Sequence, residues 1–141
     1  MKPKPEDLTD ILCRLSLTTI AQHYEELSRE AAREGLDHVE YLRRLAEAEA
    51  AARYERSVQR RTKAARLPVL KTLEQFDWAW PKKINRAQVQ ELFRLRFIEQ
   101  NSNAVLIGGV GLGKTHLALA LAYSACLHNI PTLFASAVEI V

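Results

Sequence analysis

The stretch Gly108-Gly109-Val110-Gly111-Leu112-Gly113-Lys114-Thr115 decides how the rest of this 141-residue chain is read. It fits G-x-x-x-x-G-K-[ST], the phosphate-binding loop also called Walker A. Four glycines in six positions let the backbone take conformations closed to other residues and come close to a ligand. Successive amides then turn inward onto phosphate oxygens, and the helix that follows adds its positive end. In this pattern Lys114 reaches the β- and γ-phosphates, and the Thr115 hydroxyl ligates Mg²⁺. A bare glycine-rich turn does not account for a Lys-Thr pair placed directly after the glycines. The motif alone leaves ATP and GTP both open.

The flanks agree with the loop. Ala104 to Ile107 is a short apolar run, predicted as a buried strand. Residues 114 to 127 read as a nearly all-apolar helix, broken by Asn129 and Pro131. Thr132 to Ala135 is predicted as a second buried strand, and a helix begins at Ala137. Upstream, Asn85 with Gln88 is predicted to cap a helix running to about Glu99, and residues 101 to 103 form a polar turn. The alternation of strand and helix gives an α/β fold class, with a parallel sheet. The first part of this P-loop domain is assigned to residues 85–141.

Residues 67–84 read as a linker packed on that core, because Leu67, Pro68, Leu70, Phe76, Trp78, Trp80 and Pro81 are too apolar to stand free in water. Residues 1–66 read as a helical N-terminal domain offering a DNA or partner contact. A short helix covers residues 7 to 15. Thr18 is predicted to cap a second, with Ile20, Tyr24, Leu27 and Ala31 on one face and Gly35 as its stop. Asp37 with Glu40 makes a capping-box-like start for a long third helix. Its predicted apolar stripe is Val39, Leu42, Leu45 or Ala46, and Tyr54, and Pro68 ends it.

Net charge is only +3, yet residues 53 to 66 set Arg53, Arg56, Arg60, Arg61, Lys63 and Arg66 against Glu55 alone. A local basic block of this density points to a polyanion and marks these six as candidate DNA contacts. Such contacts are phosphate-directed, salt-sensitive and weakly sequence-specific. The bland alternative is a solvated helix face. Trp78, Trp80 and Phe76 could stack on a base, although packing on the core is the simpler reading. His116 reads as a packed helix residue, and His23, His38 and His128 lack metal-ligand spacing. Cys13 and Cys126 read as two buried thiols of a reducing compartment. No apolar run approaches the roughly 18 residues that span a bilayer, so no membrane role is expected. The charged first ten residues are unlike a signal peptide. The expected location is cytoplasmic.

Hydrolysis needs an acid at the end of another strand to hold Mg²⁺, usually well downstream of the loop. After Thr115 the only acid is Glu139, at the start of a helix. Two strands also make no stable sheet. The chain is therefore expected to be the front, truncated part of a longer domain.

The loop with its flanks, AVLIGGVGLGKTHLALALAYSAC, resembles the IstB-like ATP-binding proteins, helpers of an insertion-sequence transposase and relatives of the DnaC-like helicase loaders. The run LTTIAQHYEELSREAAREGLDHVEYLRRLAEAE resembles that family's helical N-terminal domain, and the arginine-rich stretch followed by LPVLKTLEQFDW resembles its linker. The resemblance implies an AAA+ ATPase core that takes ATP and Mg²⁺. It also implies an ATP-dependent self-oligomer on double-stranded DNA, engaging the transposase of the same element. Gly108, Gly113, Lys114 and Thr115 match the family motif position by position. The acidic Mg²⁺ motif, sensor asparagine and arginine finger of the family have no counterpart in this chain. Three other readings stand beside this one. They are a DnaC-like loader of a replicative helicase, a small-molecule P-loop kinase, and a DNA- or partner-binding fragment without nucleotide turnover. The 107 residues before the loop count against the kinase.

Overall fold

The local signals between Leu8 and Leu127 produce helices where the sequence places most of them. In the computed structural model residues 7–80 and 84–140 are described. The first six residues, residues 81–83 with Pro81 of the linker, and Val141 lie outside them. The described helices are α1 (Leu8–Arg14), α2 (Thr18–Glu34), α3 (His38–Ala64), α4 (Arg86–Leu92), α5 (Arg96–Glu99), α6 (Lys114–Leu127) and α7 (Ala137–Ile140). Among the described residues there is no strand. The chain divides into two units, Met1–Arg56 and Ser57–Val141, with the division inside α3.

In the first unit Gly35 ends α2 in a left-handed turn, φ +66°, where a Cβ would be strained. Its amide and that of Leu36 both return to the Ala31 carbonyl, satisfying an acceptor at the helix end. Asp37 starts α3 by accepting from the Glu40 amide at 2.8 Å. The Glu40 carboxylate does not reach back to complete the box. It binds Arg43 and Arg44 instead, and those two arginines hold its carboxyl below the ordinary value. Ile20, Tyr24 and Leu27 are half-buried and Ala31 is buried, as the helical spacing predicts. Tyr41 donates to the Tyr24 carbonyl at 2.9 Å and ties α3 to α2.

Two expectations in this unit fail. Thr18 does not cap α2: Leu17 holds the cap position, and no side chain there accepts a hydrogen bond. The apolar stripe of α3 is also displaced. Val39 and Leu42 are 77% and 62% exposed, and Tyr54 is exposed as well. Of the expected stripe Leu45 is buried as read, and the inward face runs through Tyr41, Leu45, Ala48, Glu49 and Ala52. An alanine-rich helix offers little apolar contrast, and a buried carboxylate on the inner face hides it from a hydrophobic pattern.

In the second unit Phe76, Val89 and Leu117 form a buried cluster, with Leu73, Trp78, Ile84, Phe93 and Leu106 packed against it. Asn85 caps α4 by accepting from the Gln88 amide at 3.1 Å. The single helix expected to reach Glu99 is instead broken. Leu95 turns left-handed, φ +60°, with its side chain buried, and α5 restarts beyond it. Asn101 and Asn129 also take positive φ, consistent with the turns read there.

The two expected buried strands are not formed. Val105 and Ile107 are 75% and 91% exposed, and Leu133 is 65% exposed. The Phe134 amide donates to the Ala65 carbonyl at the end of α3, at 2.8 Å, rather than to a neighbouring strand. A strand exists only through its ladder partner, and an apolar run supplies no partner by itself. Cys126 is fully buried as read, but Cys13 is exposed on α1. Among the described residues no helix is long and apolar enough to cross a membrane.

Candidate functional site

The loop from Gly108 to Thr115 leads directly into α6, which begins at Lys114. Gly111 and Gly113 both sit at φ +78°, in the left-handed region where glycine is unstrained. At Gly113 a Cβ would stand 2.6 Å from Phe76 Cε2, so this position excludes a side chain on two counts. Gly108 approaches Leu112, whose Cδ1 would lie 3.3 Å from an added Cβ. Gly109 and Val110 are exposed at the tip, and Leu112 is half-buried. The Lys114 ammonium folds back over the loop and donates to the Gly109 carbonyl. Thr115 is exposed on the first turn of α6. The eight residues of the motif thus lie together on one turn, with left-handed glycines and the helix start in place. The apolar segment before them, Ala104 to Ile107, is not paired into a sheet.

A groove of about 310 Å³ opens beside the loop, lined by Ile84, Val105, Leu106, Ile107, Leu112 and Lys114, among others. Its wall is largely apolar, and its charged group is the Lys114 ammonium.

The segment before α4 supports the loop from behind. Phe76 is 6% exposed. Its ring meets Trp78 edge to face at 5.0 Å and His116 at 5.5 Å. His116 donates from Nε2 to the Thr72 carbonyl at 2.9 Å, so it is a packed helix residue with a satisfied nitrogen. Arg86 lies 4.8 Å over the Trp78 ring. Trp80, read as part of the packed linker, is 57% exposed. The motif carries no trace of Phe76, because the contact joins residues 37 positions apart and depends on the path of the segment between them.

The basic block is divided by its partners. Arg53 Nε binds Glu49 Oε1 at 3.0 Å, and its Nη2 donates to the Ser16 carbonyl at 2.7 Å. Arg56 binds the same Glu49 oxygen at 3.2 Å and reaches Thr19. Glu49 itself is 4% exposed and accepts the amides of Thr19 and Ile20 on its other oxygen, at 2.8 and 3.1 Å. A carboxylate from α3 thereby does for the start of α2 what Thr18 was expected to do. Burial opposes its charge, but the Ile20 amide, Arg53 and the Thr19 amide prevail and hold its carboxyl below the ordinary value.

Arg61 is also engaged, in the second unit. It donates from Nε to the Cys126 carbonyl at 2.7 Å and from Nη1 to Ser57 Oγ at 2.6 Å. A guanidinium at the last turn of α6 satisfies a terminal carbonyl and complements the helix dipole. Arg60, Lys63 and Arg66 are exposed. Arg66 acts on Glu139, whose carboxyl is held low first by the Ser136 amide and hydroxyl. Of the six cations, three are therefore bound to internal acceptors, and three face outward.

Residues 10–141 match the family of IstB-like ATP binding proteins. A Pseudomonas aeruginosa protein, whose name describes an ATP-binding protein of insertion sequence IS21, is 41% identical over 119 residues, which are 84% of this chain and 45% of that protein. A Geobacillus stearothermophilus protein named in the same way for insertion sequence IS5376 is 32% identical over 128 residues, 91% of this chain and 51% of that protein. One from Bacillus thuringiensis subsp. berliner, named for IS232, is 32% identical over 134 residues, covering 95% and 54%. The chain spans about half the length of these curated relatives.

Proposed function

The chain belongs to the family of IstB-like ATP binding proteins, and on that premise we propose that it binds ATP with Mg²⁺ through Gly108 to Thr115 and serves DNA transposition beside the transposase of its element. The observation that carries the nucleotide reading is the turn itself. Left-handed glycines at 111 and 113 run into α6, and Lys114 bends back over the loop. Loop amides and the helix start would bind phosphate oxygens. The Lys114 ammonium would exchange the Gly109 carbonyl for the β- and γ-phosphates, and Thr115 would hold Mg²⁺.

In this reading Ala104–Ile107 and Thr132–Ala135 enter the parallel sheet of an AAA+ core, and the active form is a self-oligomer on double-stranded DNA in the cytoplasm. Arg60, Lys63 and Arg66, the outward cations, are the phosphate contacts. Turnover is not assigned to residues of this chain. Glu139, the acid after the loop, commits its Oε2 to the Ser136 amide and hydroxyl at 2.7 and 2.8 Å, as a helix cap.

The test is Lys114→Ala with ATP binding read by calorimetry. Removing a charge-assisted interaction worth about 1.5–3 kcal/mol predicts a roughly ten- to hundredfold weaker affinity. Equal affinity in the two proteins would remove the loop from the nucleotide site.

A further inference from the structure

We propose that Phe76 is a positioning residue for the phosphate loop: its ring occupies the space beside Gly113 and holds the left-handed turn that aims the loop amides. The proposal rests on the nucleotide reading of Gly108 to Thr115. Its support is separate from the motif. At Gly113 an added Cβ would lie 2.6 Å from Phe76 Cε2 and 3.2 Å from Cζ, so the ring edge touches the glycine itself. The loop residue flanking α6 is therefore packed against a side chain, not against solvent.

The ring cannot easily yield. It is 6% exposed and sits in the cluster with Val89 and Leu117. Trp78 and His116 both meet it edge to face. His116 is fixed in turn by the Thr72 carbonyl, four residues before Phe76 in the chain. The segment from Thr72 to Trp78 thus grips the first turn of α6 at His116 and the end of the loop at Gly113. A loop rich in glycine has much conformational freedom to lose when it closes on a ligand. A wall beside Gly113 removes part of that freedom before binding, which raises affinity without touching the ligand.

The experiment compares the full chain with Phe76→Leu, which keeps apolar bulk but removes the ring edge, and with Phe76→Met as a second variant should the first not fold. Thermal melting monitors the fold. Hydrogen exchange at the amides of Gly111 to Lys114 reads the loop without any ligand. Affinities are measured for ATP and for inorganic tripolyphosphate. We expect faster exchange at those four amides, and affinity about tenfold weaker for both probes alike. Unchanged exchange and unchanged affinities in a folded variant would overturn the proposal. So would loss of ATP binding with tripolyphosphate binding intact, which would make Phe76 a base contact. If the wild-type chain binds neither probe but the exchange still rises in the variant, the nucleotide reading falls, and with it the role toward a phosphate, while Phe76 is still shown to hold the Gly113 turn.

Discussion

Gly113 is caught between a backbone requirement and a packing requirement. Its φ of +78° costs any L-residue, and the Phe76 ring fills the place of a Cβ. Gly111 shares the φ but has nothing within 4 Å of an added Cβ. The motif requires glycine at 113 and leaves 111 free, and the two differ in the same sense in three dimensions. Gly113→Ala should destabilise the chain by about 2 kcal/mol or more, and Gly111→Ala by about 1–2 kcal/mol from backbone strain alone. Urea unfolding of the two variants checks this, and equal losses would mean that the Phe76 contact is immaterial. The glycines and Lys114 are legible in the sequence because the motif is a local pattern of residue types at fixed spacing. Phe76 is not legible, because an apolar aromatic in a linker has many possible neighbours.

At the scale of elements, Glu49 decides how α2 begins. The first amides of a helix lack partners within it, and here an acid 30 residues further on supplies them. Arg53 and Arg56 then neutralise that acid. Glu49→Ala should cost about 2 kcal/mol in the first unit, since it strips two amides of their acceptor and removes the carboxylate that Arg53 and Arg56 share. Thr18→Ala should cost almost nothing by comparison, because Thr18 makes no cap. Urea unfolding of both variants measures the difference, and a larger loss at Thr18 would contradict the assignment. The pH dependence follows from the lowered carboxyl of Glu49. A lowered folded value means that the charged form is bound more tightly in the native state. Its stabilisation is present above the ordinary carboxylate range, near pH 4, and is lost as pH falls through the lower folded value. Helicity followed by circular dichroism should show acid unfolding of wild type that is flattened in Glu49→Gln. The Asp37 cap, the Gly35 stop and the span of α6 were readable from local chemistry. The carboxylate that caps α2 and most of the inward face of α3 were not, because the cap comes from 30 residues away and an alanine-rich helix shows little apolar contrast.

At the scale of the whole chain, the basic block that looks uniform in sequence serves three ends. Arg53 and Arg56 serve the first unit through Glu49, Arg61 serves the second through the end of α6, and Arg60 and Lys63 face outward. The double variant Arg60→Ala with Lys63→Ala should therefore leave the melting temperature nearly unchanged. It should reduce the salt slope of double-stranded DNA binding by about 0.9 for each phosphate no longer neutralised. Arg61→Ala should do the reverse, costing about 1–2 kcal/mol with little change of slope. Fluorescence anisotropy on a random duplex across a salt series, beside thermal melts, separates the two. An unchanged slope in the double variant would remove DNA contact from this helix end. By itself the sequence determined the phosphate-loop motif, the helical first third and most helix ends, because glycine, proline and capping residues act on their immediate neighbours. The tertiary structure alone decided which cations are engaged internally, which carboxylate caps α2, and which ring backs the loop. It also decided that the two apolar runs flanking α6 are not joined into a sheet here, with Val105, Ile107 and Leu133 exposed while Leu106 and Phe134 are half-buried, since burial and pairing are properties of the neighbours that folding supplies, not of the segment.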